Sequence, residues 1–142
     1  MPTSSPTTTQ APLVAIHRLK ITFPSDTHRE DEPVIRDLTL AINQGERIAV
    51  VGASGCGKTL TARAVLGLLP PRARWSGRIT IANRALSAIS PEELRSIRGG
   101  TVGLAFQDGA ASLNPVLTVG TQLIEAIRCH QHTSPAAARS RA

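Results

Sequence analysis

Apolar and polar residues run through this chain in two rhythms, and the switches between them mark its elements. Residues 13–23, Leu-Val-Ala-Ile-His-Arg-Leu-Lys-Ile-Thr-Phe, alternate in part and are rich in β-formers, which predicts one or two strands. Residues 24–33 are polar, charged and bounded by prolines, as a hairpin loop is, and residues 34–42 return as a second strand region. Asn43-Gln44-Gly45 turns the chain into Ile48-Ala49-Val50-Val51, a short apolar run suited to a buried parallel strand. Residues 61–69 then carry apolar side chains at helical spacing, with Pro70-Pro71 as the stop. A loop over 72–77 holds Trp75, and Arg78-Ile79-Thr80-Ile81 alternates strictly, as a half-exposed strand does.

The second half reads as helices around one more strand. Ser90 is the predicted N-cap of a helix, with Pro91 at its first position and Glu92 and Glu93 in the first turn. That placement accounts for the paired carboxylates without acid–base chemistry. Gly99-Gly100 breaks the chain, and residues 101–106 read as another buried strand running into Gln107-Asp108-Gly109. Residues 112–115 form a turn. Residues 118–129 form an amphipathic helix whose stripe of Val119, Leu123, Ala126 and Ile127 is a core or partner-docking face, with the core as the default expectation. Ser134-Pro135 opens a further helix with a good cap. Residues 1–12, rich in Pro, Ser and Thr, have too little to bury and are expected as a disordered leader. The fold class expected is α/β: an N-terminal antiparallel β portion leading into a phosphate-loop core with parallel strands.

Candidate chemistry concentrates between the apolar run and the first helix. Gly52-Ala53-Ser54-Gly55-Cys56-Gly57-Lys58-Thr59 matches G-x-x-x-x-G-K-[ST], in the strand–loop–helix setting that the pattern requires. Glycines let the backbone approach a ligand closely. Successive N–H groups then face one concavity, and the N-terminus of the following helix adds more donors and a positive dipole end. Lys58 is expected to neutralise β- and γ-phosphates, and the Thr59 hydroxyl to ligate Mg²⁺. Gln107 follows a predicted buried strand, and in α/β sheets ligands gather at the carboxyl ends of strands, so it is a further candidate for the nucleotide site.

Composition narrows this picture. The chain has 142 residues, enough to bury a core, and only 2% aromatics, so that core is aliphatic. Its net charge of +6 is carried mostly by arginine. A basic balance can signal nucleic acid, but the arginines are scattered and there is almost nothing to stack on bases, so no nucleic-acid partner is expected. Cys56 and Cys129 make neither a disulfide framework nor a metal-ligand spacing. His17 reads as a surface residue, and His130-Gln131-His132 as a frayed helix end rather than a metal tract. The acidic trio Glu30-Asp31-Glu32 reads as a solvated loop tip. No apolar run approaches the ~18 residues of a spanning helix.

With these segments in place, the sequence resembles the ATP-binding subunit of an ATP-binding cassette (ABC) transporter, in its oligopeptide/dipeptide/nickel import branch. Three stretches carry the resemblance: the run from Gly45 through Thr59, similar to the family's Walker A segment; Phe106-Gln107-Asp108, similar to its Q-loop; and Ser112-Leu113-Asn114-Pro115-Val116-Leu117-Thr118-Val119-Gly120 with Gln122 and Glu125, similar to the stretch that follows the Q-loop in peptide importers. The resemblance implies ATP and Mg²⁺ as cofactors, with Gly52 to Leu60 on the phosphates and Thr59 on the metal. It implies that Gln107 contacts Mg²⁺ or the attacking water and senses a membrane subunit, and that Phe23 stacks on adenine. It further implies transmembrane permease subunits and a second ATP-binding subunit as partners, at the cytoplasmic face of the membrane. Gly109 departs from the family, which usually has proline there.

Nothing after Gln107 resembles the family's signature motif, its Walker B strand or its switch histidine. The sequence therefore looks like the N-terminal part of such a domain, an incomplete ABC ATPase domain. Two other readings stand beside ATP-driven import: a non-catalytic remnant that at most binds nucleotide, and a cytosolic ATPase of the same superfamily acting on DNA, against which the stretch 112–125 argues.

Overall fold

The computed structural model describes residues 11–24, 32–131 and 133–142. Most of the expected leader, most of the loop at 24–33 with Glu30 and Asp31, and His132 lie outside the described residues. The chain divides into two units, Met1–Ser90 and Pro91–Ala142.

The first unit is built on an antiparallel sheet of four strands in the order β2-β1-β3-β4, with β1 Val14–Thr22, β2 Pro33–Ile42, β3 Arg74–Ile81 and β4 Arg84–Ala85. Partial alternation in the first segment has a structural cause. Val14, Ile16, Leu19 and Ile21 are all buried, so the two-residue rhythm skips once, between Ile16 and Leu19. The pairing register with β2 shifts at that point, and the register with β3 shifts between His17 and Lys20. Arg18 absorbs the extra residue at φ 50, and its N–H donates to Thr39 Oγ1 at 3.1 Å. The segment is thus one strand with a β-bulge that re-aims the side chains after it.

Burial follows from this pairing. Ile16 faces Ile79 across β1 and β3, and Val14 faces Ile81. With Leu19, Ile21 and Ile35 they form the aliphatic inner face of the sheet. Helix α1, Lys58–Val65, packs on β3 and contributes Ala64, and Leu66 just beyond it is buried as well. The helix is shorter than the prolines at 70 and 71 suggest. Leu68 N–H donates to the Arg63 carbonyl (2.8 Å) and Gly67 N–H to the Ala64 carbonyl (3.0 Å), with Gly67 at φ 63. This pair of bonds is the Schellman stop, which satisfies the last carbonyls before any proline is reached. Trp75, expected in a loop, lies in β3 opposite Ile21. The short β4 was not predicted; Ala82 and Asn83 both take positive φ, as a two-residue hairpin turn requires.

One expectation in this unit is corrected. Residues 46–53 belong to no strand, and Ile48, Val50 and Val51 are exposed, Val51 by 88%. A parallel strand is buried only when neighbours satisfy its edges and layers cover its faces. Among the described residues this run has no such neighbour.

The second unit holds α2, Pro91–Gly100, α3, Val119–His130, and α4, Pro135–Arg141, with α3 packed on α2 and α4. Helix α2 carries Glu92 and Glu93 in its first turn and breaks at Arg98 and Gly99 (φ 87), close to the predicted glycine break. Ser134 caps α4, accepting from Ala137 N–H at 3.2 Å, and Ala138 is fully buried. Residues 103–106 also join no strand, and Phe106 is 49% exposed, which corrects the second expected buried strand for the same physical reason. The stripe on α3 is corrected too. No residue of α3 is buried, and Val119 and Leu123 are exposed, because α2 and α4 leave that stripe uncovered.

Candidate functional site

The loop at 52–59 takes its shape from Gly57, whose backbone conformation other residues rarely adopt. Gly57 sits at φ 97, ψ 4 as the N-cap of α1, and a Cβ there would also come within 3.0 Å of Ile35 Cγ1. A Cβ on Gly52 would lie 2.7 Å from Cys56 Sγ, so a larger residue there requires the Cys56 side chain to move. Helix α1 has no side-chain cap bond and no carboxylate in its first turn. The N–H groups at its start therefore lack the partners that a capping side chain supplies, and its positive dipole end is not neutralised.

Lys58 sits at the first position of the helix and turns back over the loop. Its ammonium donates to the carbonyls of Gly52 (2.8 Å) and Ala53 (2.6 Å) and reaches Cys56 Sγ at 3.7 Å. Thr61 anchors the helix start from the other side, since its N–H (2.8 Å) and Oγ1 (3.0 Å) both donate to the Gly57 carbonyl. Thr59 is exposed, and its hydroxyl has no partner among the described residues. Ala53, Ser54 and Gly55 complete an exposed loop, and Leu60 continues into the helix.

This donor set fits a polyphosphate and a hard cation. One ammonium is held over a short glycine loop at an uncapped helix start, and the Thr59 hydroxyl, next in sequence, is an oxygen ligand of the type that Mg²⁺ prefers. Bound phosphate would have to replace the two carbonyls as the partner of Lys58. Beside the loop lies a groove of about 550 Å³, walled by apolar side chains of β2 and residues 48–51 and reaching Cys56, Gly57 and Lys58 at one end. Gly52, Ala53, Ser54 and Gly55 do not line it, so groove and phosphate loop are neighbours rather than one cavity. Phe23, half-exposed just past the end of β1, does not line it either.

Gln107 belongs to the second unit, where it is exposed in a bend between Phe106 and a short 3₁₀ turn at Ala110–Ser112. Sequence reading missed how this turn is held. Asp108 accepts from Ala111 N–H through Oδ1 (3.2 Å), and its carbonyl accepts from Ser112 Oγ (3.2 Å). An Asp followed at short range by small residues is the available signal for such a cap. No group of three or more His, Cys, Asp or Glu among the described residues is placed to hold a metal ion. No helix among them is long and apolar enough to cross a membrane.

Residues 35–141 match the family model described as ABC transporter. The dipeptide transport ATP-binding protein DppD of Bacillus subtilis is 39% identical over 129 residues, which are 89% of this chain and 38% of that protein. The oligopeptide transport ATP-binding protein OppD of Salmonella typhimurium is 37% identical over 139 residues, 94% of this chain and 41% of that protein. The chain thus spans about two fifths of the length of these relatives. Among solved structures, the dimeric ATP-binding cassette MJ0796 bound to ADP and Pi superposes with a TM-score of 0.75 at 24% identity, over 90% of this chain and 53% of that one. That likeness speaks to the fold, and the expected α/β class with an antiparallel N-terminal portion, an incomplete ABC ATPase domain, agrees with it. On the match over residues 35–141, the chain belongs to the ABC transporter family.

Proposed function

We propose that this chain binds Mg-ATP at residues 52–60 and, as part of an ATP-binding subunit, energises import of peptides or related solutes. The observation that carries the reading is the closed glycine loop with Lys58 folded over it at the uncapped start of α1. In this reading Gly52, Ala53, Ser54, Gly55, Cys56 and Gly57 offer backbone N–H groups to the phosphates, with Leu60 at the helix start. Lys58 neutralises their charge, and Thr59 supplies an oxygen to Mg²⁺. The metal, when bound, offsets charge on the phosphates. Gln107 is assigned to the metal or to the water that attacks, and Phe23 to the adenine ring, following the resemblance.

The partners proposed are transmembrane permease subunits, met through residues 107–127, and a second ATP-binding subunit; the location is the cytoplasmic face of the membrane. Support for the docking surface is apolar exposure in the second unit, with Val116 87%, Val119 55% and Leu123 42% exposed. The names of the relatives, dipeptide and oligopeptide transport ATP-binding proteins, support peptides as the solute. Calorimetric titration with Mg-ATP tests the core of the reading: binding by the native sequence and none by Lys58→Ala is expected, and equal affinity in both overturns it.

A further inference from the structure

The outer face of the sheet in the first unit carries a groove of about 650 Å³, lined by charged side chains of three neighbouring strands: Arg18 and Lys20 of β1, Arg36 and Asp37 of β2, and Arg78 of β3. Two irregularities in the strands bring these charges together. On β1, Ile16 and Leu19 are buried and both residues between them, His17 and Arg18, are exposed, where strict alternation leaves room for one. On β2, Arg36 and Asp37 are likewise both exposed, between buried Ile35 and half-buried Leu38. The register between the two strands shifts at both places. At the floor of the groove, Arg18 takes φ 50 and Gly77 of β3 takes φ 103. A Cβ on Gly77 would collide with the Arg18 carbonyl oxygen, so glycine lets β3 close on the bulge. Bulges re-aim side chains next to functional sites, and backbone held in such sparsely populated conformations gathers there.

Four of the lining side chains are cations, against the single carboxylate of Asp37. Asp37 Oδ1 lies 3.7 Å from Arg18 Nε, and Arg36 pairs with Glu32 at 2.8 Å; both pairs are exposed to solvent and therefore weak. The side chains of Lys20 and Arg78 have no ion pair or hydrogen bond among the described residues. We propose that this groove is an anion site for a chain of linked phosphates, separate from residues 52–60, none of which lines it. Three of the cations are arginines, whose forked guanidinium takes phosphate oxygens two at a time. Cations spread over strands about 4.8 Å apart reach more than one phosphate. The lining has no aromatic ring to stack on a base and no large apolar side chain to enter a bilayer. Strand β1 beneath it is paired on both sides, so no strand edge is offered to a peptide.

The test is calorimetric titration with inorganic tripolyphosphate, in the chain carrying Lys58→Ala so that the loop at 52–59 does not contribute. Binding is expected to persist in that background and to weaken as salt is raised. Adding Lys20→Gln and Arg78→Gln together is expected to weaken it at least about tenfold, by removing two charged donors. Asp37→Asn, which removes the one carboxylate, is expected to tighten it about threefold. A gain of that kind cannot come from a damaged fold, so the two variants check each other. No binding to the Lys58→Ala chain overturns the inference, as does binding that Lys20→Gln with Arg78→Gln leaves intact. Failure of Asp37→Asn to tighten binding overturns it too. Co-sedimentation of the chain with phosphatidylglycerol vesicles that tripolyphosphate does not diminish overturns it in favour of a membrane surface.

Discussion

The Lys58 ammonium donates to the Ala53 carbonyl at 2.6 Å and to the Gly52 carbonyl at 2.8 Å, so the cation is held by the loop it serves. Part of its hydration is already replaced by carbonyl oxygens. Lys58→Ala is expected to abolish measurable Mg-ATP binding, a loss beyond the about 10–100-fold of a single charge-assisted hydrogen bond. Stability without nucleotide is expected to change by no more than about 0.5 kcal/mol, since the bonds lost are near the surface. Calorimetry and urea unfolding read the two effects separately. A large loss of stability would mean that the lysine is a structural strut instead.

Cys56 gives an independent handle on the same loop. Its sulfur lies 3.7 Å from Lys58 Nζ, at the spot that a Cβ on Gly52 would crowd at 2.7 Å. An alkyl group added there stands beside Lys58, the residue proposed to neutralise the phosphates. In a Cys129→Ser background, which leaves one thiol, modification by N-ethylmaleimide is expected to eliminate nucleotide binding, and saturating Mg-ATP to slow the modification about tenfold or more. Mass spectrometry of the time course gives both rates. Labelling that proceeds equally fast with and without Mg-ATP would place the nucleotide elsewhere.

The sheet should be most sensitive where β1 meets β3. Ile16 and Ile79 face each other and are each 2% exposed. Truncating either one leaves a cavity on a face that the rest of the sheet cannot collapse to fill. Ile79→Ala is expected to destabilise the first unit by about 2–5 kcal/mol, measured by denaturant unfolding. Thr80→Ala, next in sequence and only half-buried, should cost well under half of that.

What the sequence made legible depends on whether the deciding interactions were local. The G-x-x-x-x-G-K-[ST] loop, the capped start of α4 and the strict alternation at 78–81 are set by residues a few positions apart, and each appears where expected. The bulge at Arg18 is legible only in part, as an alternation that fails once. The runs at 48–51 and 101–106 have the composition of buried parallel strands, yet whether such a run is a strand depends on neighbours contributed from elsewhere. The stripe on α3 misleads similarly, because amphipathicity announces a surface to be covered without saying what covers it.

Gly109 offers a test of the Q-loop segment through the backbone alone. Its φ of −66 is the value that proline fixes and its ψ of −32 is one that any residue can adopt, so glycine's freedom serves no purpose in this conformation. Its N–H makes no backbone hydrogen bond among the described residues, while its carbonyl accepts from Ser112 N–H at 3.2 Å, a bond that proline would keep. Gly109→Pro therefore removes conformations from the unfolded chain without removing a contact from the folded one. It is expected to raise stability by about 0.4–1 kcal/mol in urea unfolding. It should also slow hydrogen exchange at Ala111 and Ser112, whose groups bond to Asp108 and Gly109. A loss of stability would mean that Asp108, the residue preceding the new proline, cannot take the extended conformation that proline demands of it. In that case the chain's departure from the family's usual proline would reflect a differently shaped turn after Gln107.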